Sequence, residues 1–208
     1  MSVAAIVVAG GRGERFGGQK QFATLGQLSL TAMSVQHARS VASHVVVVVP
    51  SDYAGEGEGA DAVVHGGATR SASVRAGLAA CGDAEIILVQ DAARPLASDE
   101  LFRRVLDAVR GGADGVVPGI AVTDTIKQVE NGVVVATPVR DTLVAVQTPQ
   151  GFRAEVLRQA HASGNDATDD AALVELCGYT VHVVTGETTN VKVTAPEDLA
   201  RLMNAGAR

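Results

Sequence analysis

Short apolar runs rich in β-branched residues alternate along this chain with longer segments of helical spacing. Val3-Ala4-Ala5-Ile6-Val7-Val8, the valines from Val45 to Val49, Ile86 to Val89 and Val116-Val117 lack the alternation of a strand with one wet face. They predict strands covered on both faces, as in a parallel sheet. Pro50 stops the second run, and Pro118 follows the fourth. Between the runs, Leu28 to Val41 and Ser71 to Ala80 read as helices. A third helix runs from Leu101 to Val109, with Ser98 as its N-cap and Asp99 and Glu100 in its first turn. This alternation predicts a doubly wound, mostly parallel α/β sheet of Rossmann-like type.

Two stretches depart from that rhythm. Ala54 to Ala60, AGEGEGA, reads as a flexible acidic loop. Within residues 121–147, Ile126 to Glu130 and Val133 to Val135 flank Asn131-Gly132, a strong hairpin signal. That segment is expected to form a β-arm that covers a site or reaches a partner subunit. The α/β rhythm then returns. Thr168-Asp169-Asp170 starts a helix to Cys177 with Gly178 beyond it, and Val181 to Val184 and Val191 to Val193 are strand-like. Thr194-Ala195-Pro196-Glu197 reads as a capping box, with Thr at the N-cap and Glu at N3, opening a last helix.

The length of 208 residues predicts one domain, 1–208, with the arm as an excursion from it. No apolar run approaches the ~18 residues of a membrane span. Met-Ser leads directly into a strand-like run, without a basic region or processing site, which predicts a cytoplasmic protein. Cys81 and Cys177 are far apart and in no metal spacing, so they read as reduced thiols. The net charge of −6 disfavours a nucleic-acid partner, and 3% aromatic residues supply no stacking platform for single strands. An anionic ligand must therefore be drawn by a local cluster of cations. Of the 17 basic residues only Lys20, Lys127 and Lys192 are lysines, which singles them out as positions needing a compact ammonium.

The candidate chemistry begins at Ala9 to Phe22, AGGRGERFGGQKQF, directly after the first strand. A loop of small residues lets backbone N–H groups approach a phosphate, and Arg12, Arg15 and Lys20 can neutralise several phosphate charges. The G-x-x-x-x-G-K-[ST] spacing is absent, so this is not a P-loop. Gly11-Arg12-Gly13 starts a dinucleotide fingerprint, but Phe16 stands at its third position and the acidic partner ~20 residues on is missing. The segment points to a nucleoside triphosphate and to chemistry on its phosphates. Ligands of wound sheets bind outside the C-terminal strand ends, where the glycine loop and Asp91 can meet across about seventy intervening residues. The histidines, His37, His44, His65, His161 and His182, fall outside every motif. No zinc site or imidazole base is expected from them.

The pattern A-G-x-G-x-R followed by Lys20 is similar to the signature of nucleotidyltransferases that activate sugar or polyol phosphates. Further segments follow in order: Gly66-Gly67-Ala68-Thr69-Arg70-Ser71-Ala72-Ser73-Val74, Asp91-Ala92-Ala93-Arg94-Pro95, Thr123-Asp124-Thr125-Ile126-Lys127, Pro138-Val139-Arg140, Gln147-Thr148-Pro149-Gln150, Thr168-Asp169-Asp170-Ala171 and Asn190-Val191-Lys192-Val193-Thr194. Together they resemble the 2-C-methyl-D-erythritol 4-phosphate cytidylyltransferases (the IspD family) over essentially the whole chain. Two departures stand out. Gln19-Lys20-Gln21 replaces the usual Pro-Lys-Gln, and Thr168-Asp169-Asp170-Ala171 replaces the usual Thr-Asp-Glu-Ala; neither removes a cation.

The resemblance implies a Rossmann-like nucleotidyltransferase fold and attack by a substrate phosphate on the α-phosphorus of CTP, with loss of pyrophosphate. Arg15, Lys20, Arg140 and Lys192 would be catalytic, since such transfers need alignment and charge neutralisation. Ala9, Gly10, Gly11, Gly13, Arg70, Ser73, Asp91, Ala92 and Arg94 would bind CTP. Thr125, Arg140, Thr148, Thr168 and Lys192 would bind the acceptor. Mg²⁺ would bridge phosphate oxygens, with Asp91 as its protein carboxylate. The family's homodimers imply that Thr125, Lys127 and Arg140 on the arm complete a neighbour's site. Two other readings remain: a cytidylyltransferase for another polyol phosphate such as ribitol 5-phosphate, and a nucleotide-binding regulatory domain without turnover.

Overall fold

The structure is a computed structural model and describes residues 1–11, 13 and 16–206. β1 (Val3–Val8) leads through the glycine loop and a 3-10 turn at Lys20–Phe22 into a short hairpin, β2 (Thr24–Leu25) and β3 (Leu28–Ser29), then into α1 (Leu30–Arg39). β4 (His44–Val49), β5 (Ala62–His65) and α2 (Arg70–Ala79) come next. They are followed by β6 (Ile86–Asp91), α3 (Asp99–Arg110) and β7 (Gly115–Ala121). The arm contains β8 (Gln128–Glu130), β9 (Val133–Ala136), a 3-10 turn at Arg140–Thr142 and β10 (Val144–Val146). β11 (Gln150–Arg153), α4 (Ala154–Ala162), α5 (Asp170–Leu176), β12 (Val181–Thr185) and α6 (Pro196–Gly206) complete the chain.

The main sheet runs β10–β7–β11–β6–β1–β4–β5, with β12 also paired to β7. β5, β4, β1 and β6 are mutually parallel, and β12 is parallel to β7; β11 and β10 run antiparallel to their neighbours. The expected α/β sheet is therefore present, as a mostly parallel mixed sheet flanked by helices. Its period of two divides the first strand between two cores. Val3, Ala5 and Val7 pack with α1 and α3, for example against Val35 and Phe102. Ala4 and Ile6 pack with α2, α4 and α5, for example against Val74, Leu157 and Val174. Burial on both faces is why the run carries no polar alternation.

Helix starts follow their caps. Ser29, Thr69, Ser98 and Asp169 each accept a hydrogen bond from the backbone N–H three residues on. Ser29 explains why α1 begins two residues later than the apolar pattern predicts: Leu28–Ser29 pairs with Thr24–Leu25 before the cap turns the chain. α6 begins at Pro196, and Asp198, not Glu197, accepts from the backbone N–H groups of Thr194 and Ala195. The anticipated capping box is thus shifted by one residue. Val191–Val193 is not a strand. Its two valines, on either side of Lys192, lie in a loop, where Val193 N–H donates to Ala93 O.

The arm matches its hairpin signal. Asn131 and Gly132 both have positive φ, 49° and 81°, as the tight turn between β8 and β9 requires. No helix among the described residues is long and apolar enough to cross a membrane.

Candidate active site

The parallel strands end on one side of the sheet, and their ends build a cleft of about 690 Å³. Backbone bonds join those ends: Ala9 N–H donates to Val48 O and Ala92 N–H to Val8 O. The glycine loop therefore leaves β1 between β4 and β6. Gly13 has φ +65°, and a Cβ there would stand 1.8 Å from Gly18 O. No side chain fits that position, and Gly10, Gly11 and Gly13 line the cleft. Gln21, which is buried, holds the loop from below by donating to Gly11 O at 2.9 Å.

Asp91 terminates β6 and is the electrostatic centre of the cleft. Its Oδ1 accepts from Arg70 Nε at 3.2 Å, and its Oδ2 accepts from Lys192 Nζ at 2.7 Å. Burial by itself would raise the Asp91 carboxyl pKa, but Arg70, Lys192 and Arg94 outweigh it and hold the value at about 2. Arg70 is anchored a second time, by Nη1 donating to Asp170 Oδ2 at 2.7 Å. Burial lowers the Arg70 pKa, but Asp91 and Asp170 overcompensate and raise it above the ordinary guanidinium value. Lys20 reaches over the same cleft from the 3-10 turn, with Nζ donating to Val193 O at 2.8 Å. Ser73 Oγ donates to Thr69 O and lies against Gly10 and Gly66, where added Cβ atoms would approach it to 3.3 and 2.7 Å.

Of the residues picked from sequence, Ala9, Gly10, Gly11, Gly13, Lys20, Arg70, Ser73, Asp91 and Lys192 line this one cleft. Others are placed elsewhere. Arg15 lies outside the described residues. Ala92 is 1% exposed and packs in the core below the cleft. Arg94 donates to Asn190 O at 2.8 Å and Val146 O at 3.2 Å, fastening the 186–194 loop to the end of β10. Its burial lowers the guanidinium pKa against the opposing pull of Asp91. Thr148 is buried beside Asp91, accepting from its backbone N–H at 3.1 Å. Thr168 is exposed just before α5. Thr125, Lys127 and Arg140 are on the exposed arm, where Arg140 Nη1 donates to Thr123 O and Lys127 Nζ to Thr137 Oγ1.

Several groups in the cleft or behind it act through partners far away in the chain. Gln147 is the clearest. Its side-chain amide donates to Glu187 O (2.7 Å) and Asn190 O (3.3 Å) and accepts from Glu187 N–H (3.0 Å) and Asn190 Nδ2 (3.4 Å). Asn190 in turn donates to Thr148 O at 2.9 Å. Residues 186–194, which carry Lys192, are thus held to the end of the arm by side-chain amides. Nothing in the local sequence announces this, because a buried amide and an exposed one look alike in a string of letters.

The donor set also bears on divalent cations. Among the described residues, no group of three or more His, Cys, Asp or Glu side chains is placed to hold a metal ion. Among the described residues lining the cleft, Asp91 is the one carboxylate, with a cation on each oxygen. That set suits a magnesium ion arriving with phosphate and water oxygens of its own, not a resident all-protein site.

A cleft of this build, with a glycine loop and converging cations at the ends of parallel strands, is suited to a polyphosphate. Comparison with known proteins decides the family. The family model IspD, 2-C-methyl-D-erythritol 4-phosphate cytidylyltransferase, matches residues 3–204. The chain belongs to the IspD family. It is 45% identical over 212 residues to the 2-C-methyl-D-erythritol 4-phosphate cytidylyltransferase of Nocardia farcinica, covering 95% of this chain and 91% of that one. It is 54% identical over 145 residues to the bifunctional enzyme IspD/IspF of Nitratidesulfovibrio vulgaris. That match covers 67% of this chain and 37% of the relative, so the chain spans little more than a third of that protein. The crystal structure of the cytidylyltransferase from Thermus thermophilus superposes with a TM-score of 0.86 at 35% identity, covering 100% of both chains. IspD membership thus agrees with the ordered motifs of the sequence.

Proposed function

We propose that this IspD-family chain transfers CMP from CTP to 2-C-methyl-D-erythritol 4-phosphate. An oxygen of the acceptor phosphate attacks the α-phosphorus of CTP. The bond from that phosphorus to the bridging oxygen breaks, and pyrophosphate leaves. The observation that carries this reading is the convergence of Lys20, Arg70 and Lys192 around Asp91 beside the glycine loop, in a chain matched by the family model from 3 to 204.

The chain's groups divide the work as follows. Gly10, Gly11 and Gly13 present backbone to the nucleotide, and Ser73 and the Ala92 region border the base. Lys20 and Arg15 neutralise the triphosphate and the charge that grows at the α-phosphorus. Lys192 leaves Asp91 to hold the acceptor phosphate, which is a stronger anion than a carboxylate already shared with Arg70. Arg94 and Thr148 act from behind, holding the strand end and its loops. Asp91 would hold a magnesium ion carried on the triphosphate, and that ion would supply further charge neutralisation at the phosphates.

The remaining acceptor groups support a homodimer. Thr125, Lys127 and Arg140 are on an arm whose Val129, Val133, Val134 and Val135 are 53, 64, 55 and 49% exposed. An apolar ribbon of that kind is suited to cover by another chain. In this reading it docks on a second copy and delivers Arg140, with Thr125, to the partner's acceptor site. Thr168 would complete the acceptor site in the same reading. A small-molecule biosynthetic enzyme of this kind works in the cytoplasm, without nucleic acid or membrane.

The test is pyrophosphate release from CTP and Mg²⁺ with 2-C-methyl-D-erythritol 4-phosphate or ribitol 5-phosphate. Release with the first acceptor is expected. Release with ribitol 5-phosphate alone would move the chain to another polyol, and release with neither would leave a nucleotide-binding module.

A further inference from the structure

His161 is on α4, behind the cleft, and belongs to no motif. It is 3% exposed, and its Nε2 lies 2.9 Å from Asp170 Oδ1. Asp170 is 0% exposed, and its other oxygen accepts from Arg70 Nη1 at 2.7 Å. Arg70 then reaches Asp91 through Nε, and Asp91 reaches Lys192. Five side chains from α4, α5, α2, β6 and the 186–194 loop thus form one line of alternating donors and carboxylates, running from the second core to the cleft.

The chemistry assigns each proton. Asp170 pairs with a guanidinium, so it is ionised and can only accept. Nε2 of His161 must therefore carry the hydrogen. His161 Nδ1 and Arg70 Nη2 are buried without a hydrogen-bond partner among the described residues. The ring is retained in an apolar core although one of its nitrogens is unsatisfied, an arrangement that costs stability. Among the described residues its single polar contact is the one to Asp170. Arg70 itself has two carboxylates to choose between. If Asp170 were free to rotate, the guanidinium would move onto Asp91 and present a different edge to the cleft. Asp170 held at both oxygens keeps Arg70 forked between the two acids.

We propose that His161 is a positioning residue for nucleotide binding: by fixing Asp170 it sets the orientation of the Arg70 guanidinium at the CTP cleft. This deepens the cytidylyltransferase reading and rests on it. The effect belongs on CTP affinity, because Arg70 and Ser73 line the cleft and the cytidylyltransferase reading gives both to the nucleotide. It does not belong on the acceptor, which the proposal gives to Lys192 and the arm.

The experiment measures CTP binding to the full chain by calorimetry, in the presence of Mg²⁺, together with steady-state kinetics and thermal unfolding. His161→Phe fills the space without a donor. His161→Gln places an amide N–H at about the reach of Nε2. We expect His161→Phe to weaken CTP about tenfold, in the range of supporting-residue losses, and His161→Gln to stay within about threefold of wild type. KM for the acceptor at saturating CTP should not change. In an Arg70→Gln background, His161→Phe should cause no further loss, because Asp170 then has no guanidinium to hold. Wild-type CTP affinity in folded His161→Phe, equal losses in the Phe and Gln variants, or an undiminished loss in the Arg70→Gln background would each overturn the proposal. If His161→Phe does not fold, His161→Asn is read in its place with the same expectations, since its amide is too short for Asp170. CTP affinity is read without turnover, so a wild-type chain that binds CTP but turns over no acceptor would defeat the functional reading and still decide this one.

Discussion

Lys192 Nζ lies 2.7 Å from Asp91 Oδ2 although the two residues are 101 positions apart in the chain. The pair joins a loop with no regular structure to the end of a core strand. It gives the cleft a cation that can exchange a carboxylate for a phosphate. Lys192 is about half exposed and Asp91 is nearly buried, so the lysine is the partner free to leave.

Lys192→Ala should chiefly impair use of the acceptor. The expected result is a rise of about tenfold or more in KM for 2-C-methyl-D-erythritol 4-phosphate, with CTP affinity changed much less. Steady-state kinetics with each substrate varied in turn make the comparison. Unchanged acceptor constants would remove Lys192 from that role.

Lys20→Ala should separate turnover from folding. The ammonium donates a partly buried hydrogen bond to Val193 O, and losing that bond should cost about 1 kcal/mol of stability. The fall in kcat should be far larger, about a hundredfold or more, as for other groups that stabilise transition-state charge. Near-wild-type kcat in a folded Lys20→Ala variant would be incompatible with the proposed role.

Acid should release a stability contribution held by Asp91. Its folded pKa is about 2 against an ordinary 3.8, a depressed value. The unfolded chain therefore binds this proton first as pH falls. The contribution is complete above about pH 4 and is lost as pH drops through about 2. A difference of nearly two units corresponds to about 2 kcal/mol. Thermal unfolding of wild type and Asp91→Asn from pH 5 to pH 2 should show a shallower acid decline in the variant. Parallel declines would place the acid sensitivity elsewhere.

Gln147→Ala should loosen the loop that carries Lys192. The substitution leaves Glu187 N–H and the Asn190 side chain without their amide partner. A loss of about 2–4 kcal/mol in urea unfolding is expected from several buried groups left unpaired. Activity should fall at the acceptor step, matching the direction of Lys192→Ala. A variant as stable and active as wild type would show that the loop is held by other means.

Val134→Lys should test the arm. Val134 is 55% exposed in the single chain, so a lysine there costs little in the monomer and much in an apolar interface. Sedimentation should report monomer for the variant and dimer for wild type, with turnover lost and CTP binding retained. A monomeric wild-type chain, or a dimeric variant with full turnover, would reject the crossed-arm reading.

The parts of the fold that are legible in sequence are those whose cause is local. β1, β4 and β6 show as continuous apolar runs because each is buried on both sides. The β8–β9 turn shows in Asn131-Gly132 because few other pairs tolerate its backbone. Elements with mixed patterns escape such a reading. β5 has exposed positions on an edge strand, β11 contains Gly151 pressed against Val105 and Leu88, and α4 has no capping side chain at Arg153. Val191–Val193 misleads because two β-branched residues describe a preference, while the bond to Ala93 describes where the loop is drawn.

The candidate site divides in the same way. Its glycine loop, Lys20, Asp91 and Lys192 carry chemistry visible in their types and spacing. Arg94 and Thr148 are of the right types too, and their side chains meet backbone in the structure: Arg94 donates to Asn190 O and Val146 O, and Thr148 accepts from Asp91 N–H. His161 gives no signal, and Gln147 only its place in Gln147-Thr148-Pro149-Gln150, because the bonds that matter run to a partner 40 residues away for Gln147 and 9 away, on another helix, for His161.

The chain's own letters determined that strands would be buried on both faces, where the tight turns would fall and which residue types could neutralise phosphate. Those properties depend on neighbours a few positions apart, through side-chain period, cap chemistry and backbone sterics. The tertiary structure alone decided that Asp91 sits between Arg70 and Lys192, that Gln147 secures the Lys192 loop and that His161 stands behind Asp170. Such pairings depend on strand order and on which sheet face each crossover covers, and no local periodicity encodes either.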